Sequence, residues 1–91
     1  MDVVFDDEPW QAWQRIRRRR GQAWRTATRR LEQLSAMSTP ADVDFLPVGP
    51  IRQHTDTLVF RVGNGLGLHV HAAHRESGWT WIVSRLGRDR R

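Results

Sequence analysis

The chain has 91 residues, of which 38% are hydrophobic and 27% are charged. That length predicts one domain over residues 1–91 with a modest core, and it excludes a two-domain enzyme and most large catalytic folds. No apolar stretch approaches the roughly 18 residues of a membrane span. Cysteine is absent, which excludes disulfides, thiolate catalysis and Cys-based zinc sites. Because the N-terminus is acidic where a signal peptide would be basic, we expect a cytoplasmic protein with no membrane association.

The net charge is +5, and all fifteen positive side chains are arginines. A guanidinium is a planar, permanently charged fork that suits phosphate and carboxylate groups. Dense basic segments near both ends favour an anionic partner, most commonly nucleic acid. A solvated helix face, with cations near its C-terminus, is the competing interpretation of the first segment. The candidate phosphate-binding residues are Arg17, Arg18, Arg85, Arg88 and Arg90.

In chain order, the first half predicts a strand and two helices. Residues 3–5 are β-branched or aromatic, which favours a short strand. An aspartate N-cap at position 6 or 7 then begins a helix whose apolar side carries Trp10, Trp13 and Ile16. Gly21 interrupts it, and a second helix has one apolar stripe formed by Trp24, Ala27, Leu31 and Leu34. Residues 38–40 end that helix.

The second half predicts a loop followed by three strands. Residues 40–55 are rich in proline and are expected to form a connecting loop, after which strands cover 57–62, 66–72 and 79–84. Gly63-Asn64-Gly65 is a strong hairpin signal between the first two. Alternation predicts that Leu68 and Val70 face the helices while His69 and His71 face away. Residues 85–91 are expected to form a basic tail, which could be flexible.

The resulting β-α-α-β-β-β order predicts an α+β fold. Two N-terminal helices should pack on one face of a small, mainly antiparallel sheet of about four strands.

The histidine-rich run HVHAAHRE, residues 69–76, leaves three interpretations open. The residues could bind a metal, act as proton donors or phosphate contacts on a sheet face, or be ordinary surface residues. The run follows Gly63 at the spacing of the cupin metal motif. A cupin needs many more strands than this chain has after its helices, so we predict neither a metal nor another cofactor.

Three segments resemble the RelE/ParE superfamily of toxins: MDVVFDDEPWQAWQRI at the start, FRVGNGLGLHV over residues 60–70, and WTWIVSRLGRDRR near the end. The resemblance implies the toxin of a type II toxin–antitoxin pair, silenced by a cognate antitoxin from an adjacent gene. RelE-type members cut mRNA inside the ribosome, whereas ParE-type members poison DNA gyrase.

The resemblance also implies site residues. Arg61 lies where the first hairpin strand is expected to be basic, His69 and His71 could carry protons, and Arg85 and Arg88 match basic positions after the last strand. The chain departs from the family pattern at position 67, where glycine replaces the usual arginine, and in having no C-terminal tyrosine.

Three hypotheses therefore stay open. The first is a ribosome-dependent mRNA endonuclease that inhibits translation without a metal. The second is a gyrase inhibitor with no chemistry of its own, and the third is a non-toxic nucleic-acid-binding protein of the same fold.

Overall fold

A computed structural model describes residues 1–53, 56–63 and 65–88. Its helices are α1 (Asp7–Arg19), α2 (Gln22–Ser35) and a 3₁₀ helix (Pro40–Phe45), and its strands are β1 (Asp2–Phe5), β2 (Arg52–Gln53), β3 (Thr57–Arg61), β4 (Leu66–Arg75) and β5 (Gly78–Arg88). Asn64 of the expected hairpin turn lies outside the described residues, as do residues 54–55 and 89–91. No helix in the described ranges is long and apolar enough to cross a membrane.

The strands form one sheet in the order β1-β5-β4-β3-β2. β1 runs parallel to β5, and the other pairings are antiparallel. The predicted α+β fold is confirmed: two N-terminal helices pack on one face of a mainly antiparallel sheet. Its four main strands match the expected β-α-α-β-β-β order, and the two-residue β2 adds an edge beside β3.

The core lies between the helices and one face of the sheet, which we call the helix-side face. Leu68 and Val70 are fully buried there, and Trp81 and Val83 of β5 join them. From the helices, the core receives Ala27 and other residues of the α2 stripe. His69 and His71 alternate with the buried residues and point to the opposite side, the open face, so the predicted register of β4 is confirmed.

The helices follow the expected pattern with one exception. Asp7 and Glu8 occupy the first turn of α1 and arginines its last, which complements the helix dipole. α1 ends in a left-handed residue, Arg20, at φ 50°. Trp10 was expected on the apolar side, yet 44% of its surface is exposed. Its ring makes a T-shaped contact with Phe5 of β1 at 5.6 Å.

The segment expected to be a plain loop contains the 3₁₀ helix and β2. Asp42 stabilises the start of the 3₁₀ helix, because its Oδ2 accepts hydrogen bonds from the backbone N–H groups of Ser38 (2.8 Å) and Thr39 (3.2 Å). Those hydrogen bonds hold the pKa of Asp42 below its usual value. Further along, Arg30 of α2 donates to the Val48 carbonyl at 3.0 Å and so ties the segment to the helix layer.

The last strand is longer than the sequence suggested. It continues beyond the expected end at Ser84 as far as Arg88, so Arg85 and Arg88 belong to β5 and not to a tail. A break in the β4–β5 register allows this extension, and its consequence for the candidate site is described next.

Candidate functional site

The open face of the sheet brings together four of the predicted site residues, Arg61, His69, His71 and Arg85, which we call the open-face cluster. Arg85 lies directly opposite His69 on the neighbouring strand, and Arg61 lies opposite Gly67. Side chains in directly opposed positions have Cβ atoms about 5 Å apart. His69 and His71, two residues apart on β4, are separated by about 7 Å. The cluster therefore places two imidazoles and two guanidiniums on one continuous surface.

A β-bulge puts Arg85 into this cluster. Val70 pairs with Val83, but the next residue along β4 towards the hairpin, His69, pairs with Arg85, so Ser84 is the extra residue on β5. In a regular ladder Ser84 would sit opposite His69, and Arg85 would point into the core. The bulge inverts the alternation, so that Arg85 lies on the open face and Leu86 is buried.

The cluster surrounds a strip of backbone without side chains. Gly67 and Gly87 are directly paired on β4 and β5, between the positions of Arg61 and Arg85. The Arg85 side chain runs along this strip, since its Nε lies 3.8 Å from the point that a Cβ on Gly87 would occupy. Its Nη2 donates to the Arg88 carbonyl at 3.4 Å. Gly67 itself is buried, so the backbone at position 67 is covered by neighbouring groups and adds no side chain to the cluster.

The two histidines occupy different surroundings on the same strand. Both are half-buried. His69 lies opposite Val59, which is fully buried, and its backbone carbonyl accepts a hydrogen bond from Ser84 Oγ at 3.4 Å. His71 lies opposite Thr57 on one side and Ile82 on the other. The His71 imidazole is thus placed to exchange a proton with a ligand that covers the open face, whereas the Nε2 atom of His69 is buried.

The remaining predicted site residues lie elsewhere or outside the described residues. The alternation that follows the bulge turns Arg88 to the helix-side face, where it lines a cavity with Arg19 and Trp24. Arg17 and Arg18 lie at the end of α1, near Trp24 but away from the histidines. Arg90 lies outside the described residues. The phosphate-binding set therefore divides between the two sides of the sheet.

The third histidine of the HVHAAHRE run does not join the cluster. His74 pairs with Trp79 across β4 and β5, and the two rings make a T-shaped contact at 4.8 Å. His74 lies three residues after His71 in β4. Because side chains alternate between the two faces of a strand, this odd spacing turns His74 to the helix side of the sheet. In the described ranges, no group of three or more histidine, aspartate or glutamate side chains is placed to hold a metal ion.

Sequence reasoning found the members of the cluster but not the bulge that assembles it. The signal was present in β5. Trp79, Trp81 and Val83 alternate with period two, whereas Leu86 follows Val83 at a spacing of three. A period-two pattern that slips by one residue inside a strand indicates a bulge.

Comparisons with protein-family models, with curated proteins and with solved structures give no match for this chain.

Proposed function

We propose that the protein is the toxin of a type II toxin–antitoxin pair and that it cleaves mRNA on the ribosome in the cytoplasm. The observation that carries the proposal is the open-face cluster, in which two imidazoles and two guanidiniums share one face of the sheet. RNA cleavage needs a base, an acid and positive charge at the phosphate, and this cluster contains all three. The resemblance of three sequence segments to RelE/ParE toxins supports the same conclusion.

The chemistry follows from the spacing of these groups. One imidazole removes the proton of the ribose 2′-hydroxyl, whose oxygen attacks the adjacent phosphorus and forms a new P–O bond. The bond from phosphorus to the 5′-oxygen breaks, and the second imidazole, as imidazolium, protonates that oxygen. The products are a 2′,3′-cyclic phosphate and a 5′-hydroxyl. A separation of about 7 Å lets His69 and His71 act at opposite ends of one phosphodiester.

Arg61 and Arg85 supply the charge. The phosphate gains negative charge in the transition state. Guanidinium groups on either side of it therefore stabilise the transition state more than the ground state. The departure at position 67 removes one positive charge from this face, while Arg61 and Arg85 on the two flanking strands supply the positive charge of the cluster.

The arginines outside the cluster extend the contact with RNA. Arg17 and Arg18 at the end of α1 and Arg88 beside Arg19 create a second basic region, which suits a large polyanion such as the ribosome. A cognate antitoxin with acidic residues would neutralise these surfaces. Growth arrest on expression of the chain alone, reversed by the product of an adjacent gene, is the expected behaviour in cells.

The decisive experiment measures mRNA cleavage on purified ribosomes by the parent protein, His69→Ala and His71→Ala. Each substitution should reduce the cleavage rate by about 10²–10⁴-fold while ribosome binding persists, because proton transfer contributes that much to catalysis. His74→Ala is the matched control, since the same side chain is removed from the other side of the sheet. Unchanged cleavage by a His69/His71 double variant would contradict the assignment of these residues.

The gyrase and non-toxic hypotheses are tested in parallel. The missing arginine at position 67 and the missing tyrosine favour an inhibitor without chemistry over a nuclease of the usual pattern. Supercoiling by purified DNA gyrase should be unaffected by the parent protein if the nuclease proposal is correct. Inhibition of gyrase with intact mRNA would replace the proposal by gyrase poisoning. Normal growth at high expression without the adjacent gene would remove toxicity altogether.

A further inference from the structure

A second candidate site lies on the helix side of the sheet and does not depend on the proposed function. A cleft of about 380 Å³ separates the 3₁₀ helix from the end of the sheet that lies away from the β3–β4 turn. The apolar wall of the cleft is formed by Val43 of the 3₁₀ helix and by Leu58 and Ala72 of the sheet. The cleft is large enough for an amino-acid side chain with its adjoining backbone, and none of its lining residues belongs to the open-face cluster.

Two tryptophans line this cleft. Trp79 is 38% exposed, and the edge-to-face contact with His74 fixes the orientation of its ring. Trp81 is 1% exposed, and its indole Nε1–H is buried with no hydrogen-bond acceptor in the described part of the chain. A buried donor without an acceptor is unfavourable, so a ligand that brings a carbonyl oxygen to it would gain affinity.

The charge of the cleft is opposite to that of the protein. Asp44 and Asp56 both line it, and no arginine among the described side chains does, although the chain carries fifteen arginines and a net charge of +5. Carboxylates beside an exposed indole are the elements that recognise a cation on an apolar stem, since the cation interacts with both the charge and the aromatic ring. The cleft therefore selects a guanidinium or ammonium group.

The surface beside the cleft indicates that this cation belongs to a polypeptide. Phe45 follows Asp44 at the end of the 3₁₀ helix and is 84% exposed, and Val48 and Ile51 are 60% and 40% exposed. Gln53, which lines the cleft, lies in β2 at the edge of the sheet. Exposed apolar residues next to a sheet edge are typical of protein-binding surfaces. A peptide also carries backbone carbonyls that a simple organic cation lacks.

We infer that this cleft binds an arginine side chain of a partner polypeptide. The guanidinium lies between Asp44 and Asp56, the methylene stem packs on Trp79, and a neighbouring backbone carbonyl accepts the Trp81 Nε1–H. The flanking apolar side chains of the partner cover Phe45 and the residues that follow it. The partner thus approaches the side of the sheet opposite to the surface that is proposed to hold RNA.

The test uses ¹⁵N-labelled protein and the tripeptide acetyl-Leu-Arg-Leu-amide, followed through the indole N–H signals. The signals of Trp79 and Trp81 should shift in a saturable manner, whereas those of Trp10, Trp13 and Trp24 should not. The same peptide with citrulline in place of arginine has nearly the same shape without the charge, and it should bind at least about threefold more weakly. Equal binding of the two peptides would overturn the inference.

Variants identify the residues responsible. The double variant Asp44→Asn/Asp56→Asn should weaken binding of the arginine peptide by about threefold to tenfold. Asp7→Asn/Glu8→Gln removes the same charge at the first turn of α1, outside the lining of the cleft, and should leave the affinity unchanged. Equal effects of the two double variants would show that the affinity for the peptide depends only on the net charge of the protein, and this would overturn the inference. Shifts of the Trp79 and Trp81 signals on dilution without peptide would assign the cleft to a second copy of this chain instead.

Discussion

The bulge at Ser84 leads to a prediction that separates two arginines only three positions apart. Arg85 and Arg88 are both in β5, but Arg85 lies on the open face opposite His69 and Arg88 points to the helix side opposite Leu66. If RNA covers the open face, Arg85→Gln should remove one phosphate contact. Arg88→Gln should remove none from a short RNA that reaches only that face.

The magnitude follows from counterion release. Each phosphate contact with a single strand adds about 0.7 to the slope of log affinity against log salt concentration. Between about 50 and 200 mM salt, a slope difference of 0.7 corresponds to a factor of about 2.6. The parent protein should therefore bind RNA more tightly than Arg85→Gln by the largest factor at low salt. The ratio of the two affinities should shrink by about 2.6-fold over this range. Arg88→Gln should retain the parent slope.

Fluorescence anisotropy of a labelled RNA of about four nucleotides measures these slopes, because that length matches a small single-strand site. A non-cleavable 2′-deoxy analogue at the reactive position prevents turnover during the titration. Equal slopes for the parent protein and Arg85→Gln would show that Arg85 makes no phosphate contact. A reduced slope for Arg88→Gln with an unchanged slope for Arg85→Gln would place the RNA on the helix side and refute the open-face assignment.

Three further predictions concern the fold. Leu34→Ala should lower the free energy of unfolding by about 3 kcal/mol, measured by urea denaturation, because Leu34 is only 1% exposed in the α2 stripe. Gly63→Ala should cost on the order of 1–2 kcal/mol in the same assay, since Gly63 has a φ of 95° that a side chain strains. Because the pKa of Asp42 is lowered in the folded state, its stabilising effect is complete above the usual value of 3.8 and is lost as the pH falls through the lowered pKa. The difference in urea midpoint between the parent protein and Asp42→Asn should therefore vanish in acid, and a constant difference down to pH 2 would contradict this.

Elements with strong local patterns could be predicted from the sequence alone. In the α2 stripe, Ala27 lies four residues before Leu31 and Leu34 lies three residues after it, and both Ala27 and Leu34 are in the core. Alternation in β4 gave the correct face for His69. Where local patterns were weak, tertiary contacts decided the structure. The 3₁₀ helix depends on a capping interaction of Asp42, and the following segment is held by Arg30 from a distant helix.

Trp10 shows the limit of helical spacing as evidence for burial. Its position relative to Trp13 is that of a core residue, but the sheet extends no further than β1 on that side. A side chain on the correct helical face is buried only where a neighbouring element reaches it. Trp10 therefore contacts Phe5 at the margin and remains 44% exposed.

The candidate site could be predicted as a list of residues but not as a surface, because its composition depends on one inserted residue. Period-two alternation along β5, continued from Val83, assigns Arg85 to the core and Leu86 to solvent. That arrangement would bury a guanidinium and expose a leucine, at a cost of several kcal/mol. The bulge at Ser84 avoids this cost by shifting the register once, and the same shift carries Arg85 to His69. The stability of the core and the assembly of the candidate site thus depend on a single structural feature, which explains why arginine can follow so closely after a buried valine.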